Sequence, residues 1–255
     1  MPEPRLSVLV VARNEEDNLS ACLEAVRFAD ERVVVVDASS TDGTLEIARR
    51  LADVTSVRVF DNFANQRNAA LALASGEWVL SVDADERVTP ELAREIHGRL
   101  SDFKSGTVGF RVPIKSEILG RPFGFSGTQH DLPLRLFRRD RGRWQGLVHE
   151  TVALAGPIGR MEHALEHRSL PCMRAFLRKI DQYTTLEASD LHRSGCRFRI
   201  FDLAVRPCWT FLKLYLAKQG FRDGLEGLMF CALSGVSVAV RTWKLRELNV
   251  TGRFS

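Results

Sequence analysis

Cysteine is the first scarcity. The five in the chain, Cys22, Cys172, Cys196, Cys208 and Cys231, are odd in number and far apart. No C-x-x-C pair is present, which argues against a zinc ribbon or a dithiol redox couple and suits free thiols in a reducing compartment. Lysine is scarce too, at six of 36 basic residues. The arginine excess suits planar recognition of phosphate, although a coding bias explains it equally well. Neither G-x-G-x-x-G after the first strand nor G-x-x-x-x-G-K-[ST] anywhere occurs, which argues against a dinucleotide fingerprint and a P-loop. Met1–Arg5 lacks the basic segment and apolar core of a signal peptide, so a cytoplasmic protein is expected. The uncharged run Gly227–Val240 has 14 residues, short of the roughly 20 that a spanning helix needs.

What is present is an ordinary globular composition, 255 residues with 45% hydrophobic and 27% charged. Charge is unevenly spread. Residues 168–255 carry 15 Lys and Arg against 7 Asp and Glu, a net +8, which leaves −4 on residues 1–167. The sequence therefore divides into an acidic part, 1–167, and a basic part, 168–255. A basic surface suits nucleic acid, an anionic membrane or a phosphorylated acceptor. Nucleic acid fits worst, because the basic residues are spread over apolar helices and no recognition motif accompanies them.

Periodicity alternates strand and helix through the first part. Leu6–Ala12 is a near-continuous apolar run, the pattern of a strand covered on both faces. Leu19, Cys22, Leu23 and Val26 follow at helical spacing. Arg32–Val36 is a second buried strand. Ser39–Gly43 supplies turn formers ahead of a second amphipathic helix. A strand at Val57–Phe60 and a helix over 66–74 come next, with Gly76 as the expected helix stop. Trp78–Val82 is a further strand, and Thr89-Pro90-Glu91 combines a cap, a proline at the first helical position and an early acid. The expected fold is a doubly wound, mainly parallel α/β sheet with helices on both faces and a helical C-terminal segment.

In such sheets ligands bind beyond the carboxyl ends of the strands. Three predicted strands end there in polar residues: Arg13-Asn14-Glu15, Asp37 and Asp83-Ala84-Asp85. Asp83 and Asp85 flank one small residue, a pattern able to present oxygen ligands to a divalent cation while leaving positions open for nucleotide phosphates. Alone, the pattern fits a solvated strand end better. Its coincidence with the other two tips favours a nucleotide held through a metal.

Ser7–Asn14, then Val33–Thr44 with its acid at Asp37, then Gln66-Arg67-Asn68, then Asp83-Ala84-Asp85-Glu86, occur in the order and at the distances of a known family. The chain resembles the family 2 glycosyltransferases of GT-A fold, and within them the bacterial lipopolysaccharide-core β-glucosyltransferase type. The resemblance implies a UDP-sugar site lined by Ala12, Asn14, Glu15, Asp37, Arg67 and Asp83. It implies Mn²⁺ or Mg²⁺ at Asp85, with Asp83 beside it and a late histidine, His167, as a further ligand; His163 competes for that role. Gly146–Glu150 matches a motif that implies Glu150 as the base of an inverting transfer, with His149 as the alternative. Arg135 and Arg138, alternating like strand residues, are candidates for an anionic acceptor or plain surface charge. The implied reaction moves a hexose, glucose being the expected one, to a saccharide or lipid-linked saccharide acceptor of the lipopolysaccharide core or a related envelope glycan. The alternatives are transfer to a polyprenyl phosphate and a non-catalytic sugar-nucleotide-binding regulator.

Beyond Arg174, Phe176, Leu177, Ile180 and Tyr183 repeat at helical spacing, and Trp209–Leu216 is rich in aromatic and aliphatic residues flanked by lysines. These features suit peripheral attachment to the inner face of the cytoplasmic membrane. A helical subdomain on the acceptor side or a homodimer interface accounts for them nearly as well.

Overall fold

The computed structural model describes residues 6–101, 106–128, 131–146, 150–170 and 172–252. They form two compact units, Met1–Ile114 with Asp131–His167, and Lys115–His130 with Arg168–Ser255. The sequence pattern divides the chain once, after residue 167. Lys115–His130 belongs to the unit that holds the C-terminal helices.

The first unit begins β1 (Leu6–Ala12), α1 (Glu16–Ala25), β2 (Glu31–Asp37), α2 (Thr44–Leu51), β3 (Val54–Arg58), α3 (Phe63–Leu73), β4 (Trp78–Asp83), β5 (Glu86–Val88) and α4 (Pro90–Ser101). It continues through β6 (Gly109–Arg111) and, after β7 (Ile114–Ile118) and β8 (Arg121–Pro122), resumes with β9 (Leu134–Arg138), β10 (Gly142–Gln145), β11 (Thr151–Leu154), β12 (Ile158–Arg160) and β13 (Leu165–Leu170). A seven-stranded sheet runs β12-β6-β9-β4-β1-β2-β3. The four strands from β4 to β3 are parallel, and β9 enters antiparallel to β4. This is the mainly parallel sheet that strand–helix alternation predicts.

Period-2 alternation sorts the core. Val8, Val10, Val34, Val36, Leu80 and Val82 pack with Leu19 and Leu23 of α1 and Leu92 and Ile96 of α4. Leu9, Val33, Val35 and Val79 pack on the other face with Ala64 and Ala70 of α3 and with Phe137 and Trp144. Both sheet faces are therefore covered, and the strands read as continuous apolar runs for that reason. At the sheet's far end the buried Glu31 accepts bonds from Ser7 Oγ, Ser75 N and Ser75 Oγ, tying β1, β2 and the approach to β4 together.

Two local expectations fail. The third strand lies three residues earlier than its apolar run, over Val54–Arg58, because pairing with β2 sets its register: Val33 faces Val54 and Asp37 faces Arg58. Val59 is left outside the strand and exposed. Gly76 is not the stop of α3. That helix starts earlier, with Asn62 Oδ1 accepting from Asn65 N at 2.8 Å, and ends at the extended Ala74. Gly76 is small for a different reason, since a Cβ there would lie 2.7 Å from the Ser7 backbone nitrogen. The start of α4 is as read, with Leu92 N donating to Thr89 Oγ1.

The second unit contains the β7–β8 hairpin, α5 (Met173–Arg193), α6 (Ile200–Leu212), a π-helical run (Lys213–Ala217), a 3₁₀ turn (Gly220–Asp223) and α7 (Gly224–Thr251). Phe176 and Ile180 of α5 are buried with Ile118, Phe123 and Leu170, whereas Leu177 and Tyr183 are exposed. Arg241 and Lys244 of α7 pair with Glu187 and Asp181 of α5. Gly235 of α7 lets α6 approach, for a Cβ there would come within 2.9 Å of the Pro207 carbonyl oxygen. The helical stretch Gly220–Thr251 is long and apolar enough, by length and composition, to cross a membrane. The 14-residue uncharged count understates it because the helix runs on past its bounding charges.

Candidate active site

Strand register brings the polar tips level. Val11 pairs with Asp83, Ala12 with Val36, and Asp37 lies one residue beyond. Asn14 then adopts φ 52°, a left-handed conformation that asparagine tolerates better than most residues. Its Oδ1 accepts from Thr41 N at 2.9 Å and its backbone N donates to Ser40 Oγ. Glu15 N donates to Thr44 Oγ1, and Glu15 Oε2 accepts from Asn18 Nδ2. Asn14 and Glu15 thus clamp the loop after β1 to the loop after β2. Asp37 is buried. One of its oxygens accepts from Ser39 N and Oγ, while Oδ2 has no hydrogen-bond partner, with Arg13 Nε at 3.7 Å. A buried acceptor left in that state is uncommon and suits an N–H brought by a ligand.

Arg67 is the hub of the site. Sitting on the buried face of α3, its guanidinium reaches three groups: Nη1 donates to Ser81 Oγ at 2.7 Å, Nη2 to Asp83 Oδ1 at 2.7 Å and Nε to Glu150 Oε1 at 3.1 Å. The rigid five-donor fork makes that three-way bridge possible, and lysine has no equivalent geometry. Asn68, the next residue, exchanges two bonds with the Trp144 backbone and fixes β10 against α3. The Gln-Arg-Asn run therefore works on two sides of one helix.

Arg135 closes the other side of Asp83. Its Nη2 donates to Asp83 Oδ2 at 2.9 Å and to Glu86 Oε1 at 2.6 Å, and Glu86 Oε2 accepts from Asp83 N. Burial alone would raise Asp83, but Arg135 and Arg67 outweigh it and hold the carboxyl well below the usual carboxylate range. Glu86 has no second arginine. Burial pushes it up to about 7, with Arg135 opposing the rise and the Asp83 charge adding to it. Arg135 itself is held above its ordinary value, because the two carboxylates overcome the cost of burying it.

Asp85, one residue beyond Ala84, has a different partner. Its Oδ2 lies 3.1 Å from His167 Nε2, where β13 pairs with β5 and sets His167 opposite Glu86. A carboxylate and an imidazole so close are two suitable ligands for a divalent ion such as Mn²⁺. Among the described residues no group of three or more His, Cys, Asp or Glu forms a complete metal site. Asp85 and His167 are the two residues that would hold such an ion. Asp83, with each oxygen engaged by an arginine, is turned toward the network instead.

The remaining candidates separate. His163 Nδ1 lies 2.9 Å from Glu95 Oε2, and Glu95 also accepts from the backbone N of Glu162 and His163. Burial raises Glu95, yet these donors outweigh it and lower its carboxyl. His163 is an anchor to α4, so of the two histidines His167 is the one beside the Asp pair. Arg138 pairs with Glu77 and Asp140 and lies opposite Trp78, at the other end of β4. Three residues apart on a strand, Arg135 and Arg138 face opposite sides. His149 lies outside the described residues. Sequence reasoning missed Ser81 and Glu86; the only signal for Glu86 was its place directly after Asp85.

Residues 7–155 match the sequence profile of glycosyl transferase family 2. The chain belongs to this family. It is 31% identical over 251 residues to the lipopolysaccharide core biosynthesis glycosyltransferase LpsC of Rhizobium meliloti strain 1021, covering 95% of this chain and 92% of the relative. It is 26% identical to the uncharacterized glycosyltransferase RT0209 of Rickettsia typhi, over 98% of this chain and 89% of that one. Among solved structures, the mannosyltransferase PcManGT of Pyrobaculum calidifontis, in complex with GDP-Man and Mn²⁺, aligns with a TM-score of 0.51 at 15% identity, covering 95% of this chain and 87% of that one. The protein is thus a glycosyltransferase with the GT-A architecture, and the site lies at the sheet edge where such folds bind ligands.

Proposed function

We propose that this family 2 glycosyltransferase moves a hexose, glucose being the preferred candidate, from a UDP-sugar to a saccharide of the lipopolysaccharide core or a related envelope glycan, with inversion. The observation that carries the reading is the Asp83–Arg67–Glu150 bridge standing next to the Asp85–His167 pair. The likeness to LpsC supports the acceptor class. Asp37 Oδ2, which accepts no hydrogen bond, suits the imide N–H of uracil.

In this reading Asp85 and His167 hold Mn²⁺ or Mg²⁺, which when bound supplies Lewis-acid neutralisation of the leaving diphosphate. Asp83, whose two oxygens are held by Arg67 and Arg135, would position those arginines beside the donor. Glu150 removes the acceptor hydroxyl proton as that oxygen bonds to the anomeric carbon. The bond from the anomeric carbon to the diphosphate oxygen breaks, and its electron pair leaves with UDP. Arg67, holding one oxygen of Glu150, orients the base and keeps a positive charge between it and Asp83. The acceptor is carried on a lipid at the inner face of the cytoplasmic membrane.

Purified protein incubated with UDP-glucose, Mn²⁺ and truncated lipopolysaccharide or polyprenyl phosphate tests the reading by mass analysis of the product. Addition of one hexose to the saccharide is expected. Addition to polyprenyl phosphate alone would establish the alternative transferase class. UDP-sugar binding without turnover on any envelope extract would favour a regulator.

A further inference from the structure

The second unit displays a helix with its apolar side outward. No residue of α6 is buried, although Pro207 and Phe211 lie against Gly235 of α7. On the opposite side Phe201, Val205, Trp209, Leu212 and, in the π-helical run, Leu216 recur at spacings of four, four, three and four residues, one continuous stripe. Phe201 is 66% and Trp209 64% exposed, so the stripe has no partner within the described residues. Single exposed apolar residues are ordinary, whereas a contiguous patch marks an interaction surface.

Charge identifies the occupant. Between residues 197 and 222 the chain carries Arg197, Arg199, Arg206, Lys213, Lys218 and Arg222 against one acid, Asp202, which Arg206 pairs at 2.9 Å. A second copy would bring the same net +5 to the contact, and like charges would oppose association. An anionic lipid surface satisfies both properties, with the apolar stripe in the acyl boundary and the basic residues among headgroups. Trp209 is of the type favoured at that depth.

We infer that α6 and the π-helical run after it form a docking surface for anionic phospholipid, with Phe201, Trp209, Leu212 and Leu216 as the inserted residues. This specifies the attachment behind the lipid-borne acceptor proposed above, but it requires nothing of the donor chemistry. The α7 helix contacts both α5 and α6 and is not one of the proposed inserted elements.

Flotation of the full chain with phosphatidylcholine vesicles, with and without phosphatidylglycerol, provides the test. Binding is expected only with phosphatidylglycerol, and release in high salt. Phe201→Ser with Trp209→Ser should weaken partitioning by at least about tenfold, the change expected for withdrawing large aromatic side chains from an apolar layer. Arg199→Glu with Lys213→Glu should abolish the preference for phosphatidylglycerol. Unaltered unfolding temperature and UDP binding in each variant would separate lost docking from lost folding or a failed donor site. Equal flotation of the Phe201/Trp209 variant would overturn the assignment. So would resistance to alkaline carbonate extraction, which would indicate that α7 crosses the bilayer. A dimer in lipid-free buffer that the same variant dissociates would assign the stripe to a second copy instead.

Discussion

The two units solve opposite problems. At the edge of the sheet, buried and half-buried charges pair with one another: Arg67 and Arg135 hold Asp83 from both sides, Glu86 and Glu150 complete the set, and Ser81 anchors the fork, while Arg135 Nε is left without a hydrogen-bond partner. On α6 the apolar side chains are exposed and the charges flank them. Buried ion pairs are a poor source of stability, because desolvation consumes most of the Coulombic gain. An exposed apolar stripe likewise adds nothing to folding. Each arrangement carries a cost that folding alone does not explain, and each points to a molecule outside the chain. The difference lies in what can be removed: breaking the first arrangement strands buried charge, while breaking the second removes only surface.

Arg67→Ala should therefore be the most damaging change. It leaves Glu150 without its counter-charge and Asp83 with Arg135 alone, a loss of about 2–3 kcal/mol, below that of a fully buried pair because Asp83 keeps a partner. Chemical denaturation measures it, and Arg67→Lys should recover only part of the loss, since one ammonium cannot span three acceptors. Next in size is Glu150→Gln, expected to lower kcat by roughly 10²–10⁴-fold while leaving UDP affinity near the wild-type value. A matched fall in affinity would mean that Glu150 organises the donor site instead of acting as base.

The two histidines sharpen the comparison inside the first unit. His167→Ala should weaken metal-dependent UDP binding and leave unfolding little changed. His163→Ala should do the reverse, costing about 1–2 kcal/mol through its lost bond to the largely buried Glu95. Glu95 also predicts a pH signature. Its folded carboxyl lies below the ordinary 4.5, so its contribution is complete above that value and is lost as pH falls through the folded one. The stability gap between wild type and Glu95→Gln should narrow as pH falls through the folded value. The smallest effect belongs to α6: Trp209→Ser should shift stability by less than about 0.5 kcal/mol.

The sequence shows the sheet and its acidic tips clearly, because strands covered on both faces must be continuously apolar and Leu6–Ala12, Glu31–Asp37 and Trp78–Asp83 are so along most of their length. Edge strand β3 is misplaced by its own apolar run, since register comes from the neighbour. The site is legible as residue types but not as a network. Arg67 meets a carboxylate 83 positions away, and no local period encodes that. Arg135 meets Asp83 and Glu86, a pairing that alternation on a strand cannot show, because it does not tell which end of a neighbouring strand the residue faces. Gly76 illustrates the same limit: its smallness serves a contact with Ser7 across the sheet, which helix-stop rules do not see.

Calorimetric titration of UDP into the protein, with and without Mn²⁺ and repeated on Asp85→Ala, tests the central claim most directly. Wild type is expected to bind UDP strongly only when the ion is present, and Asp85→Ala to lose this dependence together with most of the affinity. Equal UDP affinity in all four titrations, or no binding in any of them, would contradict a metal-held donor site at the end of β4.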